Sequence, residues 1–103
     1  MRKPLPLEVT DLAAQHIRKA EEWWRENRRA APNAVREELQ RAFSLIVVQP
    51  RIGSRAANVK LAGVRRISLP FIKYYLYYRL LDMPERIQVV ALWHSRRGKG
   101  PPI

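Results

Sequence analysis

The chain has 103 residues, 47% of them hydrophobic, which suits one domain spanning residues 1–103 with a single core and is too short for two. It has no cysteine, which excludes a disulfide framework and a thiolate metal site, and no apolar run approaches the ~20 residues needed to span a bilayer. The formal charge of +11 is lopsided: residues 1–50 hold nine Lys/Arg and seven Asp/Glu, residues 51–103 eleven and two, and an excess of one sign implies a polyanionic partner for the second half.

The N-terminus, MRKPLPLEV, is basic but lacks the apolar stretch and small-residue cleavage site of a signal peptide, so a soluble, cytoplasmic protein is expected. Within it, Leu5, Leu7 and Val9 alternate with Pro4, Pro6 and Glu8. This period of two predicts a strand over residues 4–9, and the prolines confine it to a sheet edge. Thr10 can cap a helix with Asp11 in its first turn. Ala13, Ile17, Ala20 and Trp24 then form an apolar stripe opposite Arg18, Glu21, Glu22, Arg25 and Arg29. This helix should end near Ala30, with Pro32 in the first turn of the next.

Val35, Leu39, Ala42, Phe43 and Ile46 make a second stripe, which Pro50 should terminate. Two amphipathic helices joined by a short loop predict an antiparallel helical hairpin. Residues 50–63, PRIGSRAANVKLAG, are basic and glycine-punctuated and read as loop. From Val64 the period returns to two. VRRISL reads as a strand, the aromatic run Phe71–Leu81 as another, and Pro84 lies in the turn after it. Ile87–Trp93 is nearly all apolar and should be a central strand covered on both faces. The order is βααβββ: an α+β fold with an N-terminal edge strand and the hairpin packed on a mainly antiparallel sheet.

Several words in this order resemble the RelE/ParE family of bacterial toxins. They are the A-x-x-x-I helix with its Trp-rich end, P-R-I-G after the second helix, the G-V-R-R-I strand, the Y-x-x-Y-Y-R strand and the closing A-L-W-H-S-R-R-G. The resemblance covers nearly the whole chain. It implies a toxin of a type II toxin–antitoxin pair, neutralised in a hetero-oligomeric complex by a cognate antitoxin and requiring no cofactor. RelE-like members cut messenger RNA in the ribosomal A site, whereas ParE-like members poison DNA gyrase without being nucleases.

Cutting RNA at its 2′-hydroxyl needs a base, cations on the transition-state phosphate and a proton for the leaving oxygen. Aligned by its strand words, the chain carries Arg65 and Arg66 where the family places basic residues. Tyr75 stands where RelE-like members have an arginine, and no tyrosine follows Tyr78. The ending H-S-R-R-G is closer to ParE, so gyrase is the expected target and a ribosome-dependent endoribonuclease the alternative. As a ribonuclease, the chain would rely on His94, Arg65, Arg66 and Arg96. As a binding protein, it would present Arg65, Arg66, Arg79, His94, Arg96 and Arg97 to target or antitoxin. A plain nucleic-acid-binding module is a third reading, though no helix-turn-helix, zinc spacing or RNP-like word is present.

Each of these residues also has a plainer use. His94 is either a general acid or a strand-end histidine bonded to a nearby carbonyl. Arg96 and Arg97 either meet a target or antitoxin or form a solvated tail. Of Tyr74, Tyr75, Tyr77 and Tyr78, one pair should lie under the helices and the other should be partly exposed. Trp23 and Trp24 point about 100° apart, so one is core and the other half-covered or at an interface. His16 and His94, 78 positions apart without nearby carboxylates, make no metal site. With strands paired in sequence order, His94, Arg96 and Arg97 would join Arg65 and Arg66 in one cationic patch.

Overall fold

Leu7 and Val9 pair as a strand, and Thr10 ends it by turning the chain into a helix. The computed structural model describes residues 3–103 and runs β1 (Leu7–Val9), α1 (Asp11–Asn27), α2 (Ala34–Ile46), β2 (Ser54–Arg55), β3 (Val64–Leu69), β4 (Tyr74–Leu81) and β5 (Arg86–His94). The sheet order is β1-β5-β4-β3-β2, with β1 parallel to β5 and the other neighbours antiparallel. This is the α+β arrangement the periodicities predict, including the edge position of β1 and the inner position of β5. The two-residue strand β2, inside the predicted 50–63 loop, is an addition to it.

The element ends differ from the expected ones for local reasons. β1 is only three residues because the Leu5 amide bonds the Val47 carbonyl, although Pro6 still accepts from Ile87. The Thr10 hydroxyl accepts the Ala13 amide at 3.2 Å and opens α1 as predicted. That helix stops at Asn27 and not near Ala30, and α2 starts at Ala34 and not at Pro32, so the RAAPN stretch is all turn. α2 stops at Ile46, short of Pro50. Phe71–Lys73 leave the predicted strand because the Lys73 amide bonds the Leu69 carbonyl and closes a turn after Pro70.

Both helices lie on one face of the sheet. Ala13, Ala20 and Trp24 of α1 and Val35, Leu39, Ala42 and Ile46 of α2 are buried against Leu69, Leu76, Tyr78, Ile87, Val89 and Leu92; Ile17 and Phe43 are partly covered at the rim. Burying each of the valine, leucine and isoleucine side chains among them contributes about 1.5–3 kcal/mol. Where β1 gives way to α1, β5 loses its strand neighbour. Thr10 and His16 take over: the Thr10 amide bonds the Val89 carbonyl, and His16 Nδ1 accepts the Leu92 amide at 3.3 Å.

A bulge changes how β5 serves the other face. Tyr77 pairs with Ala91 and Tyr78 with Val89, so Val90 is an extra residue, and Val90 and Ala91 both join a second cluster with Val64 and Tyr77. Ala56, Val59, Leu61 and Ile103 cover that cluster. The final residues are therefore not a solvated tail: Pro101 is buried, the Ile103 carbonyl accepts the Lys60 amide, and Trp93 Nε1 donates to the Lys99 carbonyl. This cover alters the expected division of the tyrosines. Tyr74 and Tyr78 face the helices and Tyr75 and Tyr77 the other side, but each face has one buried ring, Tyr78 and Tyr77.

Candidate functional site

His94 is the last residue of β5 and pairs with Tyr74, the first of β4. Two backbone bonds then turn the chain: the Ser95 amide donates to the Lys73 carbonyl, and the Arg97 amide to that of His94. They fold residues 95–97 against the β3–β4 turn and hold Arg96 and Arg97 beside Lys73. The end of α1 closes the other side with Trp23, Trp24 and Arg28, and Phe71 rises from the turn. The result is an open cleft of about 600 Å³ between the helix end and the sheet end.

Its aromatic wall is built around Trp24. That ring is in the core, stands edge-on to Trp23 (centroids 6.0 Å apart) and lies 5.9 Å from Phe71. Trp23 and Phe71 remain 44% and 61% exposed, so the adjacent tryptophans divide as helix geometry requires, one to the core and one to the surface. Arg28 lies over the Trp23 ring at 5.0 Å. No carboxylate lines the cleft, whereas three arginines and a lysine do.

His94 stands edge-on to Tyr74, centroids 5.1 Å apart, and its Nδ1 accepts the Arg96 amide at 3.2 Å. This is a strand-end role of the expected kind, with the ring as acceptor from an amide and not as donor to a carbonyl. Partial burial lowers the His94 pKa below its ordinary 6.5, and Arg96, Arg97 and Lys73 push the same way. The ring is therefore neutral at pH 7, and the hydrogen-bond network assigns its proton to Nε2. Burial raises the pKa of Tyr74 above 10, opposed by Arg97. Both groups are proton donors at neutral pH, and the imidazole lone pair that would serve a general base is already engaged.

The anticipated patch is split. β4 lies between β3 and β5, and Arg65 and Arg66 pair with Tyr78 and Tyr77, well along the strand from Tyr74 and its partner His94. Strand spacing and rise put them roughly 15 Å from His94. Each is also occupied. Arg65 donates to the Gly53 carbonyl at 2.8 Å and to that of Arg51 at 3.4 Å. Arg66, on the opposite face, lies 4.2 Å over the Tyr75 ring and reaches the Tyr77 hydroxyl. Arg79 donates to Gln88, which donates to Glu8, and Arg86 holds the Glu8 carboxyl below its usual range. Of the expected set, only His94, Arg96 and Arg97 come together. Their real neighbours, Lys73, Arg28 and Phe71, are not among the residues the sequence singles out; Pro70 is the signal that the chain turns there and returns Lys73 to the end of β5.

Among the described residues no cluster of three or more His, Asp or Glu is placed to hold a metal, and no helix is long and apolar enough to cross a membrane. A family model for the ParE toxin of type II toxin–antitoxin systems, parDE, matches residues 7–98. No curated protein matches the chain. Among solved structures, the chain is similar to the chromosomal ParDE toxin–antitoxin system from P. aeruginosa, with TM-score 0.71 and 18% identity over 89% of this chain and 97% of that one. It is also similar to the isolated E. coli RelE toxin, with TM-score 0.66 and 20% identity over 91% and 87%. At these identities the two likenesses are of fold.

Proposed function

This chain belongs to the ParE family of toxins from type II toxin–antitoxin systems, and from that premise we propose that it arrests growth by poisoning DNA gyrase and is held inactive by a cognate antitoxin. The observation that carries the choice of target is the lack of a free base beside the cations and donors gathered at His94, with Arg65 and Arg66 set apart from them. Base, cations and acid must converge on one phosphate. Here Arg65 and Arg66 brace a loop and a tyrosine roughly 15 Å from His94. His94 Nδ1 is bonded to the Arg96 amide, which leaves no evident base. What remains at the end of β5 is a set of donors and cations suited to holding an acidic macromolecule. The strongly basic second half likewise calls for an acidic cover when the toxin is silent, which fits a hetero-oligomeric antitoxin complex in the cytoplasm.

Induction of the chain alone should stop growth, and co-expression of the neighbouring reading frame should restore it. The purified protein with gyrase and ATP should block supercoiling or trap cleaved DNA. Harmless expression of a folded chain would remove the toxin reading. Codon-dependent cuts in mRNA on translating ribosomes would instead establish the endoribonuclease, with the adjacent donors His94 and Tyr74 as its acids.

A further inference from the structure

We propose that the cleft at the end of the sheet binds single-stranded nucleic acid, with bases against Trp23 and Phe71 and phosphates against Lys73, Arg96 and Arg97. The first support is the exposure of two large aromatic rings, 44% and 61%, on one small surface. Both are steadied by Trp24, at 6.0 and 5.9 Å, so they are placed surfaces and close enough to serve neighbouring nucleotides of one strand. Aromatic faces and a cationic track are the two components of sequence-tolerant single-strand binding.

The second support is the polarity of the polar groups. The cations only donate, neutral His94 offers Nε2–H because its Nδ1 is taken by the Arg96 amide, and the Tyr74 hydroxyl is the lining side chain left to accept. Phosphate oxygens need donors alone. Base edges need donors and acceptors, so the cleft should hold a strand through backbone and stacking with little preference for sequence. An acidic peptide would satisfy the cations, but its own main-chain amides would find almost no acceptor. In a duplex the base faces are stacked on one another and closed to Trp23 and Phe71. The inference goes beyond the gyrase reading and does not depend on it, because it concerns what the isolated chain binds.

The test is fluorescence anisotropy of a labelled six-nucleotide thymidylate with the full chain, over a salt series. Binding should weaken with a log–log salt slope of about −2 for three neutralised phosphates, and Lys73→Gln or Arg96→Gln should each reduce that slope by about 0.7. Trp23→Ala and Phe71→Ala should each weaken binding about fivefold or more, from the stacking lost. Both rings are exposed, so thermal melts should confirm that these variants fold. An abasic strand of equal length should bind as weakly as the aromatic variants. Equal affinity for the abasic strand or for a duplex, or indifference to both aromatic substitutions, would overturn the proposal and leave a non-specific cationic surface. So would failure of the oligonucleotide together with aromatic-dependent binding of a glutamate-rich peptide, which would assign the cleft to a protein partner. Gyrase inhibition is measured separately, so either reading can fail alone.

Discussion

Tyr78→Phe removes one oxygen from the centre of the fold and should lower stability out of proportion to that change. Tyr78 is fully buried, and its hydroxyl accepts the buried Gly53 amide at 2.9 Å, latching the PRIG loop onto β4. Phenylalanine preserves the ring packing but strands the amide, at a cost of about 1–3 kcal/mol. For a domain of this size that corresponds to a fall in Tm of roughly 5–20 °C. Gly53→Ala should act on the same latch from the other side. A Cβ there would lie 2.8 Å from the Tyr78 hydroxyl and 2.9 Å from the Arg66 carbonyl. The hydroxyl is removed by Tyr78→Phe but the carbonyl is backbone and stays, so the double variant should lose less than the sum of the two, with a coupling of at least about 0.5 kcal/mol. Thermal and urea melts followed by circular dichroism measure all four corners of the cycle. An unchanged midpoint for Tyr78→Phe would mean that the loop is not held by this bond, and strict additivity would mean that the two residues do not share a strain.

Three further outcomes are expected. Both histidines have folded pKa values below 6.5, chiefly through burial, with Arg97 and Lys19 adding at His16 and Arg96, Arg97 and Lys73 at His94. Their contribution to stability is therefore complete above the unfolded value and lost as pH falls through the folded values; imidazole NMR titrations should give midpoints below 6.5, and midpoints at or above it would contradict the assignment. Arg96→Ala with Arg97→Ala should abolish toxicity while the fold survives, with about 0.5–1 kcal/mol lost because Arg97 lies 4.1 Å over Trp93; growth curves and melts report the two effects separately. Gly100→Ala should lift the C-terminal segment, since its Cβ would collide with the Asn58 carbonyl, and limited proteolysis should then remove residues after Lys99 faster than in the parent chain.

The helices and strands were legible because their burial is local and periodic. Ala13, Ala20 and Trp24 are buried at the spacing that predicts them, and Thr10 caps where a threonine before an apolar stripe should. The candidate site was legible in part. His94, Arg96 and Arg97 do leave the end of an inner strand together. Their supposed companions failed although β3, β4 and β5 pair in the expected order, because in that order β3 and β5 run the same way, and Arg65 and Arg66 lie at the start of β3 whereas His94 ends β5. Arg65 and Arg66 look equivalent in VRRISL, yet β4 separates both from β5, and they lie on opposite faces of the sheet. The fate of the last residues was hidden. KGPPI has the composition of a loose end, and only the lack of helix cover over Val64, Tyr77, Val90 and Ala91 requires it to fold back.

That distinction among the arginines bears on what the large positive charge can do. A guanidinium that donates to main-chain oxygens holds its position through those contacts, as Arg65 does, and withdrawing it to meet a ligand would cost the loop its partner, whereas stacking alone, as of Arg97 on Trp93, leaves the N–H donors at the guanidinium edge for an anion. Arg79 is similarly engaged with Gln88, and Arg86 with Glu8. At the cleft the positive groups have no acidic neighbour lining the same space, and their repulsion reaches His94, whose proton affinity burial depresses first and the cations depress further. An arriving anion would relieve that repulsion, whereas at Arg86 it would have to displace a carboxylate already in place. The difference in local compensation, more than the number of arginines, is why the proposed binding of an acidic partner is assigned to the end of β5 and not to the rest of this basic surface.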